Sequence, residues 1–161
     1  MKKQGIFGLI GMLACFNVQA QSPEIAISAG SFEVFEDSSL ELGVEYRFAA
    51  QESFFNIIPA IGINANTDGG YWAHAGGRYD INLGERWILT PQLAVVGYED
   101  GDGQDLGSGF LFRSGIEIGY RVAPGSRVAL TLYHMSNANL AKNNPGSESL
   151  MLSYSFSPFN R

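Results

Sequence analysis

A histidine, a serine and a glutamate near the end of the chain, His134, Ser136 and Glu148, have the side-chain chemistry needed for acyl transfer. A serine hydroxyl is a weak nucleophile until a neighbouring imidazole takes its proton, and a carboxylate on the far ring nitrogen holds that imidazole in one tautomer. On an extended strand, residues two apart share a face about 6.7 Å from one another, so His134 and Ser136 can converge. A His two residues before a Ser is common by chance. The pair gains weight only if the fold brings a carboxylate to the same place.

The elements that must do this read as strands. Eight runs rich in apolar and β-favouring residues, at about 24–35, 39–48, 54–65, 70–83, 86–98, 109–122, 126–136 and 147–157, are separated by clusters of Gly, Asn, Asp, Ser or Pro. Each is long enough to cross a bilayer as a tilted strand of about 9–11 residues. In the second run Leu40, Leu42, Val44, Tyr46 and Phe48 share one face, against Glu41, Gly43, Glu45 and Arg47 on the other. The sixth repeats this, with Phe110, Phe112, Ile116, Ile118 and Tyr120 opposing Arg113, Gly115, Glu117, Gly119 and Arg121. A soluble sandwich would turn the apolar faces inward. A small membrane barrel turns them to lipid and pairs Glu with Arg inside.

Parity alone does not choose between these, but other features favour the membrane. Tyr71, Tyr79, Trp87, Tyr120 and Phe156 fall near strand ends, as interfacial aromatics do, and the last strand closes in Tyr154, Phe156 and then Phe159. The chain opens with Lys2 and Lys3, an apolar run from Ile6 to Phe16 and Val18-Gln19-Ala20, the pattern of an export signal over residues 1–20 with Gln21 as the new N-terminus. That run is too short for a membrane-spanning helix, which needs about 20 residues. The single cysteine, Cys15, lies inside the signal, so the exported chain is expected to carry no disulfide, no thiol nucleophile and no cysteine-bound metal. A lipidated Cys15 is the minor alternative. Loss of the two lysines moves the formal charge from −6 to −8, which argues against nucleic acid as a partner. The reading is therefore an all-β, eight-stranded antiparallel transmembrane barrel of the bacterial outer membrane, one domain over residues 21–161.

Connections after the second, fourth and sixth runs (49–53, 84–85, 123–125) are short or tight, whereas those after the third, fifth and seventh are mostly longer and more polar. Short periplasmic turns and long outer loops are the rule for such barrels. Strand seven then ends, and strand eight begins, at the cell surface. In these two strands the even positions are Val128, Leu130, Leu132, His134, Ser136 and Glu148, Leu150, Leu152, Tyr154, Phe156, while Ser147, Ser149, Met151, Ser153 and Ser155 are odd. Serines suit the lumen and leucines suit lipid, so the candidate trio faces the membrane at the outer strand ends. A register pairing Leu132 with Leu150 sets His134 opposite Glu148; one shifted by two sets Ser136 opposite Glu148. Either keeps the trio together.

The segments His134-Met135-Ser136-Asn137-Ala138 and Asn144-Pro145-Gly146-Ser147-Glu148 resemble the lipid A 3-O-deacylase family. The resemblance implies an exterior His-Ser-Glu triad on an eight-stranded barrel, with His134 as base, Ser136 as nucleophile and Glu148 as the orienting acid. It further implies hydrolysis of the ester at position 3 of lipid A in outer-leaflet lipopolysaccharide, without a cofactor. Outside this hairpin only the barrel texture matches. Donors for a developing oxyanion would come from Asn137, Asn144 or amides around Gly146, against the alternative that these are simply turn-forming loop residues.

Other polar groups promise less. Glu99, Asp100, Asp102 and Asp105 lack the full calcium-loop pattern and read as a solvated loop, and His74, on the face of Trp72, Arg78 and Asp80, reads as lumenal packing. Two competing functions stand: an outer-membrane phospholipase, which also uses an exterior His-x-Ser pair but resembles a larger barrel with Asn as third member, and a non-catalytic structural barrel. Acyl preference and oligomeric state, homodimer included, are left open.

Overall fold

The computed structural model describes residues 22–35 and 38–158; the expected export signal, its cleavage point at Gln21 and Phe159 lie outside the described residues. The chain forms an antiparallel meander of β1 (Glu24–Phe32), β2 (Ser39–Arg47), β3 (Ile58–Asn66), β4 (Tyr71–Arg78), β5 (Ile81–Leu83), β6 (Trp87–Glu99), β7 (Phe110–Ala123), β8 (Ser126–Ser136) and β9 (Ser147–Phe156). The order β4-β3-β2-β1-β9-β8-β7-β6-β5 closes on itself because β4 also pairs with β6. Both β4 and β5 pair with β6, so they share one position in the wall and the barrel has eight staves, as expected.

The predicted fourth run is split for a local reason. Arg78 pairs with Gln92 and Ile81 with Leu89, leaving residues 79–80 opposite Thr90 and Pro91. Pro91 has no N–H to give a neighbouring strand, so the ladder lapses where the donor is missing. Asp80, on the same lumenal face as Arg78, accepts there from Thr90 Oγ1 at 2.6 Å and from Arg127 at 2.9 Å.

The third run corrects the expectation more clearly, since β3 begins at Ile58 rather than near residue 54. Glu52–Phe54 form a 3-10 turn, and Phe55 and Asn56 adopt left-handed φ values of 55° and 59°, which ends extended pairing. The β2–β3 connection is consequently longer than the 67–70 connection that follows β3. Orientation rests instead on the long 100–109 and 137–146 loops, at the end opposite the tight 84–86 and 124–125 turns. The first run stops early too, at Phe32, because Glu33 has φ 56°.

Side-chain parity is that of a membrane barrel. Leu40, Leu42, Ile61, Ile63, Leu93, Ile116, Leu130, Leu132, Leu150 and Leu152 are exposed on the outer wall. No helix of the described residues is long and apolar enough to cross a membrane. The girdle residue Trp87 stacks edge-on against Tyr120, its partner across the β6–β7 pair, with ring centroids 5.0 Å apart.

The lumen is filled in two layers. Toward the long-loop end, Phe32, Trp72, Val96, Tyr98, Leu106, Leu111 and Met135 form an apolar plug. Below it lies an ionic network. Glu117, with no exposed surface, contacts Arg47 at 3.2 Å, Arg78 at 2.5 Å and Arg127 at 3.6 Å. Glu45 contacts Arg47 at 2.8 Å, Arg78 at 2.9 Å and His74 at 3.1 Å, so His74 is lumenal. A buried charge stripped of its partners is strongly destabilising. Glu117→Gln, which leaves three guanidinium groups without a shared counter-charge, is expected to cost about 3–5 kcal/mol, measured as a lowered urea midpoint in lipid vesicles.

Candidate active site

The β8–β9 pair takes the first of the two registers the sequence allows. Leu132 pairs with Leu150, Val128 with Tyr154, and His134 with Glu148. His134 Nδ1 and Glu148 Oε1 are 2.9 Å apart, and the two side chains are 49% and 39% exposed on the outer wall. With Nδ1 engaged by the carboxylate, the imidazole leaves Nε2 free to accept a proton.

Ser136 is the last residue of β8, half-buried, two positions beyond His134 and on the same face. Its backbone is held opposite Phe112 of β7. Among the described residues no hydrogen bond joins Ser136 Oγ to His134, so the base and acid are in contact while the nucleophile stands beside them. Such hydrogen bonds are often long or unformed before substrate binds.

The hairpin tip is fixed from inside the barrel and from neighbouring loops. Between His134 and Ser136, Met135 points inward to the apolar plug. Asn137 is fully buried, and its side-chain nitrogen donates to the Leu106 carbonyl at 2.9 Å and the Asn143 carbonyl at 2.6 Å. Its backbone N–H donates to Asn144 Oδ1 at 2.9 Å. Both donors of Asn137 are thus committed to shaping the loop. Asn144 Nδ2 donates to Asn139 Oδ1 at 3.3 Å, a longer bond near the surface. After Asn137 the chain reverses through Ala138 and Asn139, at φ 53° and 62°. Glu148 is anchored by its carbonyl, which accepts from the Val34 N–H at 3.0 Å.

Gly146 leaves open the space beside the candidate base. It has φ 75°, and a Cβ added there would lie 3.0 Å from His134 Cε1. Its carbonyl accepts from the Gln104 amide nitrogen at 3.2 Å, in the side-chain orientation that also lets Gln104 donate to Glu33. Gln104 and Leu106 carried no signal in the sequence, because contacts from a distant loop leave no local period. Ser114 did carry one, being a polar residue in the outward apolar series of β7, and it lies opposite His134. Within the acidic loop, Asp105 Oδ1 accepts from the Gly107 N–H at 2.7 Å, a turn-forming contact.

A closed eight-stave barrel with an apolar outer wall, an ion-paired lumen and a His–Glu pair on its outside is an integral β-barrel of the outer membrane, with a candidate hydrolase site facing lipid. The family model of lipid A 3-O-deacylase (PagL) matches residues 37–157, and the chain belongs to that family, whose members are hydrolases. It is 23% identical over 171 residues to the lipid A deacylase PagL of Bordetella bronchiseptica, covering 96% of each chain. The crystal structure of the outer membrane enzyme PagL superposes with a TM-score of 0.66 at 19% identity, over 83% of this chain and 98% of that one. A de novo designed transmembrane β-barrel gives 0.62 at 10% identity (86% and 97% covered), and Neisserial surface protein A gives 0.56 at 14% (84% and 95% covered). A designed barrel that fits nearly as well shows how little chemistry the fold alone carries.

Gly146→Ala combines an unfavourable left-handed φ with contact against the imidazole. The variant is expected to shift the His134 Cε1 proton resonance and to lower deacylase turnover about tenfold, while heat-dependent gel mobility stays that of a folded barrel.

Proposed function

We propose that the protein is a lipid A 3-O-deacylase working as a serine esterase on lipopolysaccharide in the outer leaflet; the export signal over residues 1–20 would carry it out of the cytoplasm, the first step toward that membrane. The observation that carries this reading is the 2.9 Å contact of His134 Nδ1 with Glu148, with Ser136 beside it on the lipid-facing wall at the long-loop end. A lipid ester reaches such a site by lateral diffusion. Its acyl chains then lie along Leu130, Leu132, Leu150 and Leu152 without leaving hydrocarbon.

In this mechanism Ser136 Oγ attacks the carbonyl of the acyl ester at position 3 of lipid A while His134 Nε2 takes the hydroxyl proton. Glu148 holds the imidazole tautomer and stabilises the imidazolium that forms. Collapse of the tetrahedral intermediate breaks the bond to the sugar oxygen, which takes the proton from His134. Water, activated by the same imidazole, then hydrolyses the acyl-serine and frees a 3-hydroxy fatty acid. The oxyanion needs N–H donors. Asn144 Nδ2 and the Gly146 amide remain candidates, whereas the Asn137 donors are already engaged within the loop.

Mass spectrometry of lipid A from cells producing the protein is expected to show loss of one 3-hydroxyacyl group, and Ser136→Ala is expected to restore the unmodified spectrum. An identical spectrum for wild type and Ser136→Ala sinks the reading, as does preferential release of fatty acid from phospholipid. Glu148→Ala is expected to retain Ser136 reactivity at a rate about 10²–10⁴-fold lower, measured as single-turnover hydrolysis of purified lipid A.

A further inference from the structure

The outward face of β7 runs Phe110, Phe112, Ser114, Ile116, Ile118 and Tyr120, and Ser114 interrupts an otherwise apolar or aromatic series. It is exposed on the wall, paired with Leu93 of β6 on one side and with His134 of β8 on the other. Since His134 pairs in turn with Glu148, Ser114, His134 and Glu148 form one row across three adjacent strands. Among the described residues no hydrogen bond engages the Ser114 hydroxyl. A hydroxyl facing hydrocarbon is unfavourable unless a partner arrives. The Glu148–His134 contact occupies Nδ1, and Ser136 on the same strand suits Nε2, so the proton relay does not need Ser114.

We propose that Ser114 is a specificity-determining residue that hydrogen-bonds the 3-hydroxyl of the acyl chain being removed, an inference that rests on the deacylase reading above. Ser136 lies opposite Phe112, one same-face step of about 6.7 Å nearer the outer rim than Ser114 and one strand, about 4.8 Å, to the side. An acyl chain with its carbonyl at Ser136 and its tail directed toward the bilayer centre passes the level of His134 and Ser114 next. Only after that does it reach Leu132, Ile116 and Leu150. A hydroxyl on the third carbon, two carbons from the carbonyl, is the first polar group of the chain on the way from Ser136 to that level, and on a path slanted toward β7 a hydrogen bond of about 2.8 Å spans the remainder to the Ser114 hydroxyl. A chain lacking it leaves Ser114 unpartnered, and a site built to bond a substrate hydroxyl rejects the analogue without one.

The test uses the full-length protein in detergent micelles and two glucosamine phosphates that differ only at position 3, one bearing a 3-hydroxyacyl ester and the other a plain acyl ester of equal length. Wild type is expected to prefer the hydroxylated ester. Ser114→Ala should lower kcat/KM for that ester about fivefold and leave the plain ester unchanged, and Ser114→Thr, which keeps the hydroxyl, should restore the preference. Heat-dependent gel mobility reports that each variant is folded. No preference in wild type, an unaltered preference in Ser114→Ala, or equal slowing of both esters overturns the proposal. The nucleophile assignment fails independently, through a Ser136→Ala protein that still cleaves either ester.

Discussion

A barrel wall one strand thick has only an inside and an outside, and strand pleating sends successive side chains to alternate sides. In a bilayer the outside must be apolar, so the polar half of each strand is gathered into the lumen. Here that gathering is made favourable by Arg47, Arg78 and Arg127 arranged around Glu117, and by Glu45 shared among Arg47, Arg78 and His74. Because the interior charges satisfy one another, the exterior is free to be hydrocarbon-like. Against that background a histidine and a glutamate pointing outward are exceptions that packing does not require.

The same constraint explains how much could be read from the chain. Period-two alternation is local, so the outward parity of His134, Ser136 and Glu148 and the bounds of Ser126–Ser136 were legible, whereas the register was narrowed only to two, of which the structure takes the one that pairs His134 with Glu148. Alternation is blind to backbone conformations that interrupt it. Phe55 and Asn56 look strand-compatible, yet their left-handed φ values delay β3 until Ile58. The lapse at residues 79–80 depends on Pro91 lying across from them, a pairing visible only once the strands are assembled. Site contacts from Gln104 and Leu106 were hidden for a similar reason, since they depend on where a distant loop folds.

The candidate site therefore has two kinds of support. Its outer face is set by the register of β7, β8 and β9, which lines Ser114, His134 and Glu148 across the wall. Its inner face is set by the plug, in which Met135 packs with Leu106 and Leu111 while Asn137 bonds the Leu106 carbonyl. Fully packed interiors transmit small displacements. The candidate residues on the lipid side are thus positioned by residues that never meet lipid.

The pairing of β1 with β9 joins the first and last staves. Val34, just past β1, donates to the Glu148 carbonyl, and Glu33 shares Gln104 with Gly146. The candidate site's last braces are thus supplied by the N-terminal stave and exist only after the ring has shut. Cyclisation of the sheet and completion of the candidate hairpin go together, so an unsealed intermediate would lack part of the framework around the His134 imidazole.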